Sequence, residues 1–161
     1  VMGTPATRSD FTALVAQSNL IDVATLDQFL AKHSPAGELD EPPRLAAALV
    51  RHKLLTPFQA EQLLQGRWRG FLIGRYKVLA VLGVGGMGKV FLCEHPGMRR
   101  QVAIKVLPPK LAADPDTVEA LIRREFSPLP KPATPSQRPS FDVPGNDTTL
   151  FAVATDKELT G

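Results

Sequence analysis

The residues best suited to chemistry are three glycines in a G-x-G-x-x-G frame, Gly83, Gly85 and Gly88, within Leu82-Gly83-Val84-Gly85-Gly86-Met87-Gly88-Lys89-Val90. Without side chains they let the backbone bend sharply and bring its N–H groups against the phosphates of a nucleotide. A lysine stands in the middle of a second apolar run, Gln101-Val102-Ala103-Ile104-Lys105-Val106-Leu107. An ammonium group there is costly unless it meets negative charge. Glycines and lysine together point to a site for a phosphate-bearing ligand.

Two protein classes set such a glycine loop against phosphates, and the segment after the third glycine separates them. A dinucleotide-binding fold opens a helix there. Here Val90-Phe91-Leu92-Cys93 comes directly after the loop, and its β-branched and aromatic content favours a strand. Arg75 to Leu82 reads as the strand before the glycines, so the loop becomes the turn of a β-hairpin. A basic turn, Pro96-Gly97-Met98-Arg99-Arg100, leads into the lysine-bearing third strand. Asp114-Pro115-Asp116 then opens a helix with Val118, Leu121 and Ile122 at helical spacing.

The order G-x-G-x-x-G-x-V, strand, Val-Ala-Ile-Lys resembles the N-terminal lobe of a eukaryotic-type serine/threonine protein kinase across residues 71–125. Gly85-Gly86-Met87-Gly88 resembles the bacterial branch of that family, and the paired helices ahead look like those that precede planctomycete kinases. The resemblance implies an ATP site. Leu82, Val90 and Ala103 would roof the adenine, and the backbone from Gly83 through Val84, Gly85, Gly86 and Met87 to Gly88 would cradle the phosphates. Lys105 would hold the α- and β-phosphates, with Glu125 as the helix-borne acid that fixes it. The family also uses magnesium, but the His-Arg-Asp loop and the Asp-Phe-Gly that supply its ligands and the catalytic base are not in these residues.

The elements around this site fall into two regions. Residues 9–66 read as four short helices, with apolar positions at three- and four-residue intervals. Thr56-Pro57-Phe58-Gln59 is the clearest start signal: Thr56 caps, Pro57 takes the first helical position and Gln59 completes a capping box. Asp22 caps the helix that begins at Val23. The segments from Asn19 and from Lys53 align at an offset of 34 residues, which reads as a duplicated helix pair. Gly66-Arg67-Trp68-Arg69-Gly70 breaks the helical period and marks the domain boundary, with Trp68 expected to pack on the next domain. The expected architecture is therefore α+β: a four-helix unit over residues 1–69, then a partial kinase N-lobe over 70–161, an antiparallel sheet plus one short helix.

After Glu125 the family pattern stops. The stretch 126–140 is Pro-rich and reads as disordered or irregular, since prolines at this density forbid a helix. Phe141-Asp142-Val143 and Leu150-Phe151-Ala152-Val153 could supply the last two strands, so family-like pieces stand on both sides of residues 126–140, which suggests a compensated reading-frame slip over those residues. The chain therefore reads as a truncated lobe, inactive in phosphoryl transfer alone.

Composition narrows the class further. Among 161 residues with a net charge of +3, residues 71–125 hold the basic excess, enough for a phosphate ligand and too little to argue for nucleic acid. A single cysteine, Cys93, excludes an internal disulfide, reads as a core residue, and points to a reducing, cytoplasmic compartment. No metal-ligand spacing and no membrane-length apolar run is present. Two functions remain: an ATP-binding N-terminal fragment of a serine/threonine kinase, or a helical protein-interaction module with a remnant, non-catalytic lobe, its protein partner engaged through the helices.

Overall fold

The computed structural model describes residues 3–33, 39–114, 116, 120 and 151–155. In chain order the elements are α1 (Arg8–Gln17), α2 (Val23–His33), α3 (Pro42–Arg51), α4 (Pro57–Leu64), β1 (Leu72–Ile73), β2 (Tyr76–Gly85), β3 (Gly88–His95), β4 (Arg100–Leu107), α5 (Pro109–Ala112) and β5 (Phe151–Thr155). They divide into two compact units whose limit falls inside β2, between Ala80 and Val81.

In the first unit each helix begins where a side chain can take its free N–H groups, α3 excepted. Thr7 and Asp10 form a capping box at α1, and Thr56 and Gln59 form another at α4, with Pro57 opening the helix. The Asp22 carboxylate accepts from the backbone N–H groups of Ala24 and Thr25 at the start of α2. α3 starts on Pro42 without a side-chain cap.

The two helix pairs correspond in sequence position by position. α1 and α3 share their bounds at the offset of 34 residues, and α2 and α4 share their start. Buried Phe11, Leu14, Val15, Ile21, Leu26 and Phe29 correspond to buried Leu45, Ala48, Leu49, Leu55, Ala60 and Leu63. The helix ends correspond as well. The Ser18 N–H donates to the Leu14 carbonyl and the His52 N–H to the Ala48 carbonyl, both at 3.0 Å. The next residues, Asn19 and Lys53, both turn left-handed, with φ of 54° and 59°. One core collects these side chains. Its partly buried rim includes Trp68, and Phe71 lies within it. Trp68, expected to pack on the next domain, packs against this helical core, flanked by Gly66 and Gly70 with positive φ.

The first half of β2 belongs to this helical unit. Thr56 Oγ1 donates to the Leu79 carbonyl at 2.6 Å, Gln59 Nε2 to the Val78 carbonyl at 2.6 Å, and Lys77 Nζ to the Leu20 carbonyl at 2.9 Å. The two residues of β1 pair antiparallel with Tyr76 and Lys77.

In the second unit β2 and β3 are joined by Gly86 and Met87 alone, and β3 runs antiparallel to β4 from Lys89↔Val106 to His95↔Arg100. The strand order is β1-β2-β3-β4-β5. Residues directly opposite share a face. Phe91, Cys93, Val102, Ile104 and Val106 make one face, and all are buried. The expectation of an antiparallel sheet holds up to β4 and fails at the last edge: β5 pairs with β4 in parallel, Lys105 opposite Val153. A parallel neighbour needs a crossover of a dozen residues or more, and the chain between 107 and 151 is long enough for one.

The short helix expected from Asp114 is preceded by α5, a single turn after Pro108, while Asp116 and Ala120 are helical. Glu125, the Pro-rich stretch 126–140 and the strand expected at Phe141–Val143 lie outside the described residues.

Candidate functional site

The glycine hairpin is built by two different uses of glycine. Gly88 has φ of 112°, and a Cβ there would stand 2.0 Å from the Val106 carbonyl oxygen. Its lack of a side chain is demanded by the protein itself, which brings β4 against the start of β3. Gly83, Gly85 and Gly86 differ. None has a positive φ, and a Cβ on any of them would meet nothing within 4 Å. Glycine weakens a strand by about 0.5–1 kcal/mol relative to alanine, and at these three positions neither backbone conformation nor packing requires it.

The antiparallel register places the other expected residues. Val90 lies opposite Lys105 and Leu92 opposite Ala103, so Val90, Ala103 and Lys105 share one face of the sheet. That face is opposite the one carrying buried Phe91, Cys93 and Ile104. Ala103 is buried, and Val90 and Lys105 are partly buried. Lys105 sits one pair beyond the Lys89↔Val106 rung next to Gly88. Around the turn, Leu82, Val84 and Met87 are exposed, Val84 at 72%. An apolar side chain held in water beside bare backbone suits the flat, weakly polar ring of a ligand.

Cys93 is fully buried, and burial pushes its thiol up to about 12, so it is a core residue rather than a nucleophile. Among the described residues no group of three or more His, Cys, Asp or Glu could hold a metal ion. No described helix is long and apolar enough to cross a membrane.

No family model matches the chain. Individual relatives are found. A serine/threonine-protein kinase pkn2 of Myxococcus xanthus is 48% identical over 52 residues, 32% of this chain and 6% of the relative. The serine/threonine-protein kinase PknI of Mycobacterium tuberculosis is 43% identical over 57 residues, 35% of this chain and 9% of the relative. A carbon catabolite-derepressing protein kinase of Candida albicans is 42% identical over 55 residues, 34% of this chain and again 9% of the relative. The chain carries a stretch similar to serine/threonine protein kinases, bacterial ones included. That kinase-like stretch spans less than a tenth of each relative.

Reasoning from sequence missed Gln59 and Lys77 as anchors of β2. Gln59 shows only its capping role in the sequence, although a glutamine on the apolar side of a helix is a signal of a buried hydrogen-bond partner.

Proposed function

We propose that this chain is the ATP-binding N-terminal part of a serine/threonine protein kinase. Backbone N–H groups from Gly83 to Gly88 hold the phosphates, Leu82, Val90 and Ala103 flank the adenine, and Lys105 pairs with the α- and β-phosphates as a point charge. Glu125 is the acid proposed to fix Lys105. The observation that carries this reading is the bare hairpin: three glycines with open space at their Cβ positions, beside a face bearing Val90, Ala103 and Lys105. The similarity to kinases supports the choice of ATP over other polyphosphates.

The proposed role of these residues is nucleotide binding. In the family, phosphoryl transfer also needs aspartates and an asparagine that position the substrate hydroxyl and hold magnesium, and those motifs are not among the residues of this chain. Alone, these residues are proposed to bind nucleotide without transferring phosphate.

Titration with ATP and with its non-hydrolysable analogue tests the reading. Saturable binding that is lost in Lys105→Ala, with folding retained, is the expected result. No binding by the intact chain overturns it. A second reading, a helical interaction module beside an inert lobe, is favoured by one observation, that the helices enclose a core of their own. Absence of nucleotide binding with the helical unit still folded would favour it.

A further inference from the structure

The capping box of α4 does two jobs with the same two side chains. Thr56 Oγ1 accepts from the Gln59 N–H at 3.2 Å, while its own hydroxyl proton goes to the Leu79 carbonyl. Gln59 Oε1 accepts from the Thr56 N–H at 2.9 Å, and its amide donates to the Val78 carbonyl. Gln59 is 2% exposed, so its amide has no water to turn to and its orientation is set by these two partners. The equivalent pair in the first repeat, Asp22 and Thr25, is satisfied within its own helix start. That repeat reaches β2 through Leu20, whose carbonyl receives the Lys77 ammonium. Three consecutive residues of β2, Lys77, Val78 and Leu79, are thus held by side-chain hydrogen bonds to the helical unit. The same strand continues as Val81-Leu82-Gly83-Val84-Gly85 into the glycine turn.

We infer that Gln59, Thr56 and Lys77 are positioning residues for the glycine hairpin: the helical unit clamps the root of β2 and so limits the freedom of the loop at its tip. A glycine-rich hairpin has little of its own to hold it, because Gly83, Gly85 and Gly86 contribute no side-chain packing. Fixing the strand that leads into it reduces the ordering cost of closing on a ligand. The part of this inference that concerns nucleotide affinity rests on the proposed ATP site; the part that concerns hairpin mobility does not.

The test uses Gln59→Glu in the whole chain. Glutamate still accepts from the Thr56 N–H, so the cap survives, and at a pH high enough to keep it ionised it offers the Val78 carbonyl no donor. Amide hydrogen exchange is read residue by residue in the absence of ligand. Exchange on the order of tenfold faster from Val81 to Val90, with α1 and α3 unchanged, is expected, along with an ATP affinity weakened by a similar factor. Thr56→Ser, which keeps the hydroxyl, should behave as the unaltered protein. Unchanged exchange in the hairpin overturns the inference even if ATP binds normally. Failure of the unaltered chain to bind ATP overturns the ATP reading and leaves the exchange result to decide this one. Should Gln59→Glu unfold the helices, Lys77→Met removes a clamp without touching a cap, and unchanged hairpin exchange in that variant counts against the inference.

Discussion

The helical unit and the glycine hairpin use their residues in opposite ways. In the helices nearly every distinctive residue answers an internal need: caps take up free N–H groups, and matched apolar positions of the two repeats fill one core. In the hairpin the distinctive residues answer no such need. Gly83, Gly85 and Gly86 have open space around them, and Leu82, Val84 and Met87 lie in water. Gly88 is the exception that sharpens the contrast, since the Val106 carbonyl requires it. A region explained by its own packing is a scaffold. A region that its own packing leaves unexplained is where the proposed nucleotide site lies.

Substitutions can break that contrast, and the largest effect is expected at Gly88. Gly88→Val forces a β-branched side chain into positive φ and into the Val106 carbonyl, and should cost about 3 kcal/mol or more in urea unfolding, with loss of the β3–β4 pairing. Next comes the shared core, where Leu63→Ala and its repeat counterpart Phe29→Ala should each cost roughly 2–5 kcal/mol by the same measurement. Comparable losses at the two positions would show that both repeats carry the core.

Cap removal is smaller. Thr56→Ala should destabilise by about 1 kcal/mol, and by more than Thr7→Ala, because Thr56 also serves the Leu79 carbonyl. At the bottom of the scale, Gly83→Ala and Gly85→Ala should leave unfolding within about 0.5 kcal/mol of the unaltered chain or raise its stability slightly, while weakening ATP binding. Destabilisation there as large as at Gly88 would erase the distinction between the two kinds of glycine.

Acid gives a graded check on the helical side. Hydrogen bonds from Thr7 hold the Asp10 carboxyl below its ordinary value, and those from Thr25 and Ala24 do the same for Asp22. A carboxylate depressed in the folded state adds stability that is fully present above its unfolded pKa and is lost as pH falls through the folded value. Thermal unfolding should therefore be flat from neutral pH to the ordinary carboxylate range and fall below it, and Asp22→Asn should flatten part of that fall.

Much of this was legible in the sequence, for identifiable reasons. Thr56-Pro57-Phe58-Gln59 and Asp22 announce helix starts because capping is local chemistry, and the offset of 34 residues shows in both the apolar pattern and the helix bounds. The hairpin is legible because Val90-Phe91-Leu92-Cys93 cannot easily continue from the third glycine as a helix, and β3 is what forms. The parallel docking of β5 was not legible, since a five-residue apolar strand carries no mark of which direction its neighbour runs. Nor was the packing of Trp68, which is a tertiary contact, nor the second role of Gln59, which depends on a strand distant in sequence. The face shared by Val90, Ala103 and Lys105 comes from alternation within each strand once the β3–β4 register is known, and that register is a tertiary fact.

Backbone amide NMR of the whole chain during ATP addition tests the nucleotide site most directly. Shifts concentrated from Gly83 to Val90 and at Ala103 and Lys105, saturating with ATP and absent in Lys105→Ala, are the predicted result. No shifts, or shifts confined to the helices α1 to α4, would contradict it.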